Sequence, residues 1–284
     1  MKRNDPQLQT GAAFGVALFL FAATFASAST DPCDPEQWQT ESQVILLGEV
    51  HDNPLHHDIQ ACAIAAIAPS ALVFEMVAQS RVEALTEADR EDADQLEASL
   101  LWEASGWPDF RMYYPIFTAA PQAEIFGAAI PRETLRAVFE TGAAPQFEGD
   151  AAMFGLDAAL PEEEQEIREQ MQFEAHCEAM PADMMGGMVA AQRLRDAELA
   201  RMTLNALDQT GGPVVVILGN GHARYDWGVP VYLRAVRPDL RLLSVGQVET
   251  TDAAPDAAGH AFDRVLFSDP IDRPDPCDAF RQAE

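Results

Sequence analysis

Val44-Ile-Leu-Leu-Gly-Glu-Val-His51 is the stretch that decides the fold. Four apolar residues run without alternation into a glycine, the pattern of a strand buried on both faces. Pro54 to Ala68 then reads as a helix with Pro54 in its first turn. Ala71-Leu-Val-Phe74 is a second apolar strand, ending at Glu75. Strand, helix and strand within about 30 residues make a βαβ unit with parallel strands. The same spelling returns late in the chain. Val214-Val-Val-Ile-Leu218 runs into Gly219-Asn-Gly-His222, as the first strand runs into Gly48-Glu-Val-His51.

Working outward, Arg81 to Trp102 reads as one acidic helix, Tyr113 to Ala120 as another, and Ala123 to Ala129 as a third strand. A helix over Arg132 to Thr141 follows, then an Ala/Gly/Pro-rich connector over residues 142–158. Helices are expected from Pro161 to His176 and from Asp183 to Leu207, the first with acids in its opening turn. Leu242 to Val245 and Val265 to Phe267 complete the strands, the last at a sheet edge. Strands at both ends and helices in the middle predict an α/β fold. It has a mostly parallel central sheet, flanking helices and a helical insertion at about 140–212.

The 284 residues carry 18 Lys+Arg against 46 Asp+Glu, a net charge of −28. Nucleic acid and anionic membranes need a positive field and are excluded as general partners. Lys2 is the sole lysine. Schiff-base, P-loop and kinase lysines are therefore excluded once the leader is removed. That leader is Lys2-Arg3, an apolar run from Gly11 to Ala26, and Ala26-Ser27-Ala28. It reads as a signal peptide over residues 1–28, cleaved after Ala28, leaving one α/β domain over 29–284. The rival is an uncleaved anchor, but the run is short of the roughly 20 residues that a span needs. Thr30-Asp31-Pro32 before Cys33 is no lipobox. The expected product is periplasmic or otherwise exported, and soluble.

Export places four cysteines in an oxidising compartment. Cys33 and Cys277 sit in matching Asp-Pro-Cys-Asp settings near the ends, which predicts a bridge between them. Cys62, in the apolar run Ala61 to Ala68, reads as a buried free thiol. Four cysteines allow three connectivities.

In an open parallel sheet, ligands collect beyond the carboxyl ends of the strands. Glu49, His51, Glu75 and His222 are expected there together, with glycine allowing the sharp turn before each histidine. Two imidazoles and two carboxylates can bind a divalent metal, position a water or exchange protons. The opposing expectation is that both histidines only bond loop backbone. A second feature is His176-Cys177 with Met171, Met180, Met184, Met185 and Met188 around it. Met180, Met184 and Met188 share a face if one helix includes them. Such a surface suits haem or Cu(I), and equally a core or a dimer contact. His56 is expected in solvent, and Tyr113 and Tyr114 in aromatic packing or facing a haem. No Gly-x-Ser-x-Gly, His-Glu-x-x-His or Cys-x-x-Cys occurs, which removes several hydrolase, zinc and cytochrome c readings.

The segment Val44 to His57 resembles the opening motif of the ChaN family of haem-binding, iron-uptake proteins. Val73-Phe-Glu-Met76, Met188 to Ala200 and Leu218 to Pro230 resemble its later motifs, in order. The wider superfamily includes Tiki metalloproteases and erythromycin esterases. The resemblance implies a crevice of Glu49, His51, Glu75 and His222, with Gln192, Asp196 and Arg224 nearby. It implies haem as cofactor, with His51, His176, Gln192, Asp196, His222 and Arg224 as contacts. A haem-linked homodimer and an outer-membrane haem receptor system are the implied partners. Three functions compete: haem binding in haem or iron uptake, a metal-dependent hydrolase using the Glu/His crevice, and a scaffold with a vestigial crevice.

Overall fold

Six strands and ten helices carry the chain in a computed structural model that describes Met1 and residues 31–250, 261–275, 277 and 278. The leader and its cleavage site lie outside the described residues. The strands are β1 (Val44–Glu49), β2 (Ala71–Phe74), β3 (Glu124–Gly127), β4 (Val214–Gly219), β5 (Leu242–Glu249) and β6 (Arg264–Ser268). The helices before β4 are α1 (Pro54–Ile67), α2 (Gln79–Val82), α3 (Ala93–Leu100), α4 (Trp102–Ser105), α5 (Phe110–Ala119), α6 (Arg132–Thr141), α7 (Glu162–Ala175) and α8 (Met185–Thr210). Between β4 and β5 come α9 (Asn220–Ala223) and α10 (Val229–Val236).

The sheet is open and entirely parallel, in the order β3-β2-β4-β1-β5-β6. It is an α/β fold, with the edge strand Arg264–Ser268 where the sequence placed one. β1 and β4 are buried at every position, because helices cover both faces. Ile45, Leu47, Val215 and Ile217 pack beneath α1, α3 and α5. Val44, Leu46, Val214 and Val216 pack against α6, α8 and α10. From β1 the chain crosses to β2, and from β4 it crosses the opposite way to β5. The topological switch therefore falls between two adjacent central strands, where a crevice opens.

Long α8, the last part of the expected insertion, is the crossover that roofs β2, β3 and β4. The expected single helix over Arg81–Trp102 is instead broken into short pieces. Asp92 caps α3 by accepting from the Asp94 and Gln95 N–H groups, and Leu101 closes it in the left-handed conformation at φ 55°. The methionine ladder is broken too. α7 ends at Ala175, Cys177 and Glu178 take positive φ, and Met180 and Met184 precede α8.

The cysteine expectations are corrected as well. Cys33 bridges Cys62, tying the segment before β1 to α1, and Cys177 bridges Cys277. No cysteine is free among the described residues. Matching local spelling at Cys33 and Cys277 said nothing about distance, whereas packing of the segment around Trp38 against α1 brings Cys33 to Cys62. The two loops, 29 and 100 residues long, each contribute about 3–5 kcal/mol in the chain-entropy account.

Candidate functional site at the carboxyl edge of the sheet

Glu49 is the last residue of β1, Glu75 follows β2, and His222 lies on α9 after β4. Neighbouring parallel strands put these ends side by side, and the side chains meet. His51 Nδ1–H donates to Glu49 Oε1 at 2.7 Å, and His51 Nε2 lies 4.0 Å from Glu75 Oε2. His222 Nε2 lies 3.3 Å from Glu75 Oε1, and its Nδ1–H donates to Asp196 Oδ1 at 2.6 Å. Gly219 N–H donates to Glu75 Oε2 at 2.8 Å. Gln192 reaches within 3.1 Å of His222 Nδ1.

The motif glycines are there for space, not for a sharp turn. Gly219 has an ordinary φ of −63°. A Cβ on it would lie 2.8 Å from His51 Nε2, and one on Gly48 would lie 2.5 Å from Asn220 Oδ1 and 2.9 Å from the Val245 carbonyl. Each bare glycine admits a side chain from the other motif, which couples the two copies.

Glu49 is 2% exposed and well supplied with donors. Tyr113 Oη–H donates to its Oε1 at 2.7 Å, and Gln60 Nε2 to its Oε2 at 2.8 Å. Burial, then Glu49, pushes the Tyr113 phenol well above its ordinary range and keeps it a donor. His57 Nε2–H donates to the His51 carbonyl at 2.9 Å. His56 is fully buried, contrary to the solvent position expected of it. Val50 N–H donates to its Nδ1, so its Nε2–H donates to Ser268 Oγ, and burial lowers it to about 4. Sequence reading missed Gln60 and the bond from Tyr113 to Glu49. The available signal was a polar stripe, His56, His57 and Gln60, on one face of an otherwise Ala-rich helix.

Burial opposes charge on His222, but Glu75 and Asp196 overcome it and push the imidazole up to about 10. Burial also works against ionising Glu75, and the His222 charge outweighs it, bringing the carboxyl down to about 2. Burial pushes Asp196 up, and its Oδ2 has no partner among the described residues. The charged pair is thus His222 with Glu75. His51 also rises: burial is outweighed by its bond to Glu49 and by the Glu75 charge. Its side chain is 31% exposed and its ring lies against Trp107, centroids 4.7 Å apart.

The expected metal set of Glu49, His51, Glu75 and His222 is not arranged as one. Among the described residues no group of three or more His, Cys, Asp or Glu is placed to hold an ion. The four side chains are instead paired with protein groups: Glu49 with His51, Tyr113 and Gln60, and His222 with Glu75 and Asp196.

Beside the crevice lies a half-open groove of about 280 Å³. Met171, Trp227, Val248 and Phe262 give it an apolar floor, and Arg168, Gln172, Gln192 and Arg224 edge it. Arg224 stacks over Trp227 at 4.1 Å and pairs with Asp226. Of the expected cofactor contacts, Gln192 and Arg224 line this groove. Asp196 and His222 are buried beside it, His51 lies across the crevice, and His176 ends α7 one turn beyond Gln172.

The sequence pattern described as haem-binding uptake, Tiki superfamily, ChaN matches residues 37–233. The chain belongs to this family. Among solved structures it is similar to that of cofacial heme binding to ChaN of Campylobacter jejuni. The identity is 16%, over 81% of this chain and 88% of that one, with a TM-score of 0.59. At this identity the likeness shows a shared fold. A weaker likeness is to the type III effector HopBA1, 14% identical over 81% of this chain and 88% of that one, with a TM-score of 0.43. No curated protein matches the chain by sequence.

Proposed function

We propose that the chain is an exported haem-binding protein acting in haem or iron uptake. The observation that carries this reading is the half-open apolar groove edged by arginines. Covering apolar surface there is favourable by about 25 cal/mol per Å², and a guanidinium meets a propionate bidentately. Arg168 is 5% exposed, and its Nη2 is a buried donor with no partner among the described residues, which fits an anionic ligand. Gln192 and Arg224 are the expected contacts that lie in this groove. Two donors to iron stand on α7 and just beyond it. Met171 lies in the groove, and His176 donates its Nδ1–H to the Gln172 carbonyl, which leaves Nε2 with its lone pair. The groove covers part of a haem and leaves the outer face for a second copy, so a haem-linked homodimer is part of the proposal. An outer-membrane haem receptor system is the proposed donor of cargo. Two disulfides and the leader support export. No helix among the described residues is long and apolar enough to cross a membrane.

Titration with hemin should give a saturable Soret shift, about tenfold weaker in Arg224→Ala. His176→Ala and Met171→Leu then decide which donor reaches iron. A spectrum that fails to saturate, or that ignores both Arg168→Ala and Arg224→Ala, overturns the reading.

One observation favours a second reading. His51 is oriented by Glu49 through Nδ1 and carries its Nε2 in the part of the crevice that solvent reaches. An imidazole held this way can take a proton from water. Glu49, His51, Glu75 and His222 would then serve a hydrolase. Ester or peptide hydrolysis lost in both His51→Ala and Glu75→Ala would establish it.

A further inference from the structure

A second cleft, of about 260 Å³, opens on the other side of Glu75, at the carboxyl ends of β2 and β3. Trp107 forms one wall, and Ala128, Ile130, Leu135 and Leu199 give it an apolar interior. Two guanidiniums enter it, Arg132 from the first turn of α6 and Arg195 from the middle of α8. Arg132 donates one Nη2–H to the Ser105 carbonyl. Arg195 makes no hydrogen bond, and neither arginine has a carboxylate in ion-pair reach, among the described residues. With 46 acids to 18 bases, partners for arginine are abundant in this chain. Arg132, exposed at the mouth, and Arg195, half-buried, thus bring two guanidiniums without a carboxylate partner among the described residues to one cleft, and are set for an outside anion.

We propose that this cleft binds a small aliphatic carboxylate, its charge held by Arg132 and Arg195 and its chain against Ile130, Leu135 and Leu199. The cleft has about 260 Å³, and Glu75 and Trp107 line it beside the crevice, which suits a short occupant. A carboxylate with an alkyl tail matches both halves of the lining, whereas a bare inorganic anion uses only the arginines. Glu75 closes one end and Trp107 touches His51, so the bound molecule abuts the crevice. The site is separate from the haem groove and stands whether or not that groove holds haem.

Calorimetric titration of the full chain with butyrate tests this, with inorganic phosphate and hemin as the other arms. Butyrate should bind saturably, about tenfold more weakly in Arg195→Ala, and unchanged in Arg224→Ala and in hemin-saturated protein. Should Arg195→Ala not fold, Arg132→Gln takes its place with the same expectation. Absence of saturable binding at millimolar butyrate, or binding indifferent to both variants, overturns the site. Equal affinity for phosphate overturns the aliphatic assignment. Displacement of butyrate by hemin overturns the separateness, since the cleft would then seat a haem propionate.

Discussion

His51 and His222 stand at the same place in two copies of one spelling, yet the fold gives them different chemistry. His51 is one-third exposed, has one close acid and keeps a nitrogen toward the open crevice. His222 is buried between Glu75 and Asp196 and carries its charge as part of a closed pair. One is placed to exchange protons or meet a ligand, and the other to hold the floor together. The shared Gly-x-x-His pattern specifies position at the strand end. The neighbours that arrive from α1, α5 and α8 specify what the imidazole does there.

The sharpest way to break this contrast is to delete each ring. His222→Ala leaves the Glu75 carboxylate buried without its cation and should destabilise the protein by about 3–5 kcal/mol. His51→Ala removes a partly exposed partner and should lose about 1 kcal/mol. Urea unfolding of the two variants checks this, and equal losses would erase the distinction.

The contrast extends to pH through the buried His56. Its folded value of about 4 lies below the unfolded value of about 6.5, so the unfolded state binds the proton first. Stability should fall as pH drops from 6.5 toward 4, by about 3 kcal/mol from this group. His222 has the opposite sign. Its folded value of about 10 lies above the unfolded value, so its contribution is full below pH 6.5 and is lost as pH rises through 10. The difference between wild type and His56→Gln across pH 4–7 isolates the acid limb, and an identical slope in both would refute it.

A smaller effect is expected at Gly219. Alanine there drives a methyl against His51 Nε2 and should lose about 1–3 kcal/mol. By moving His51 off Glu75, it should also lower the His51 pKa in an NMR titration. An unmoved His51 titration would mean that the two motifs are not coupled through that contact.

Much of the architecture was legible along the chain. Apolar runs ending in glycine or glutamate marked β1, β2 and β4, because strands buried on both faces need continuous apolar residues. The parallel crossover then brought Glu49, Glu75 and His222 to one edge. The broken helix over 81–102 was less legible, since caps at Thr86 and Asp92 compete with a continuous helical pattern. The disulfide pairing was misread because two similar tetrapeptides carry no information on their separation in space.

What the sequence by itself determined is the order of the strands' hydrophobic runs, the edge where the chemistry collects and the excess of acid over base. Those are properties of neighbours in the chain, with periods and turns that local sterics impose. Tertiary structure alone decided that Tyr113 and Gln60 hold Glu49, that Asp196 backs His222, that Cys33 meets Cys62, and that Arg132 and Arg195 share a cleft. Each of these joins residues far apart in the chain. Their distance is set by how the helices pack on the two faces of the sheet, and burial there converts a short contact into a defined charge state.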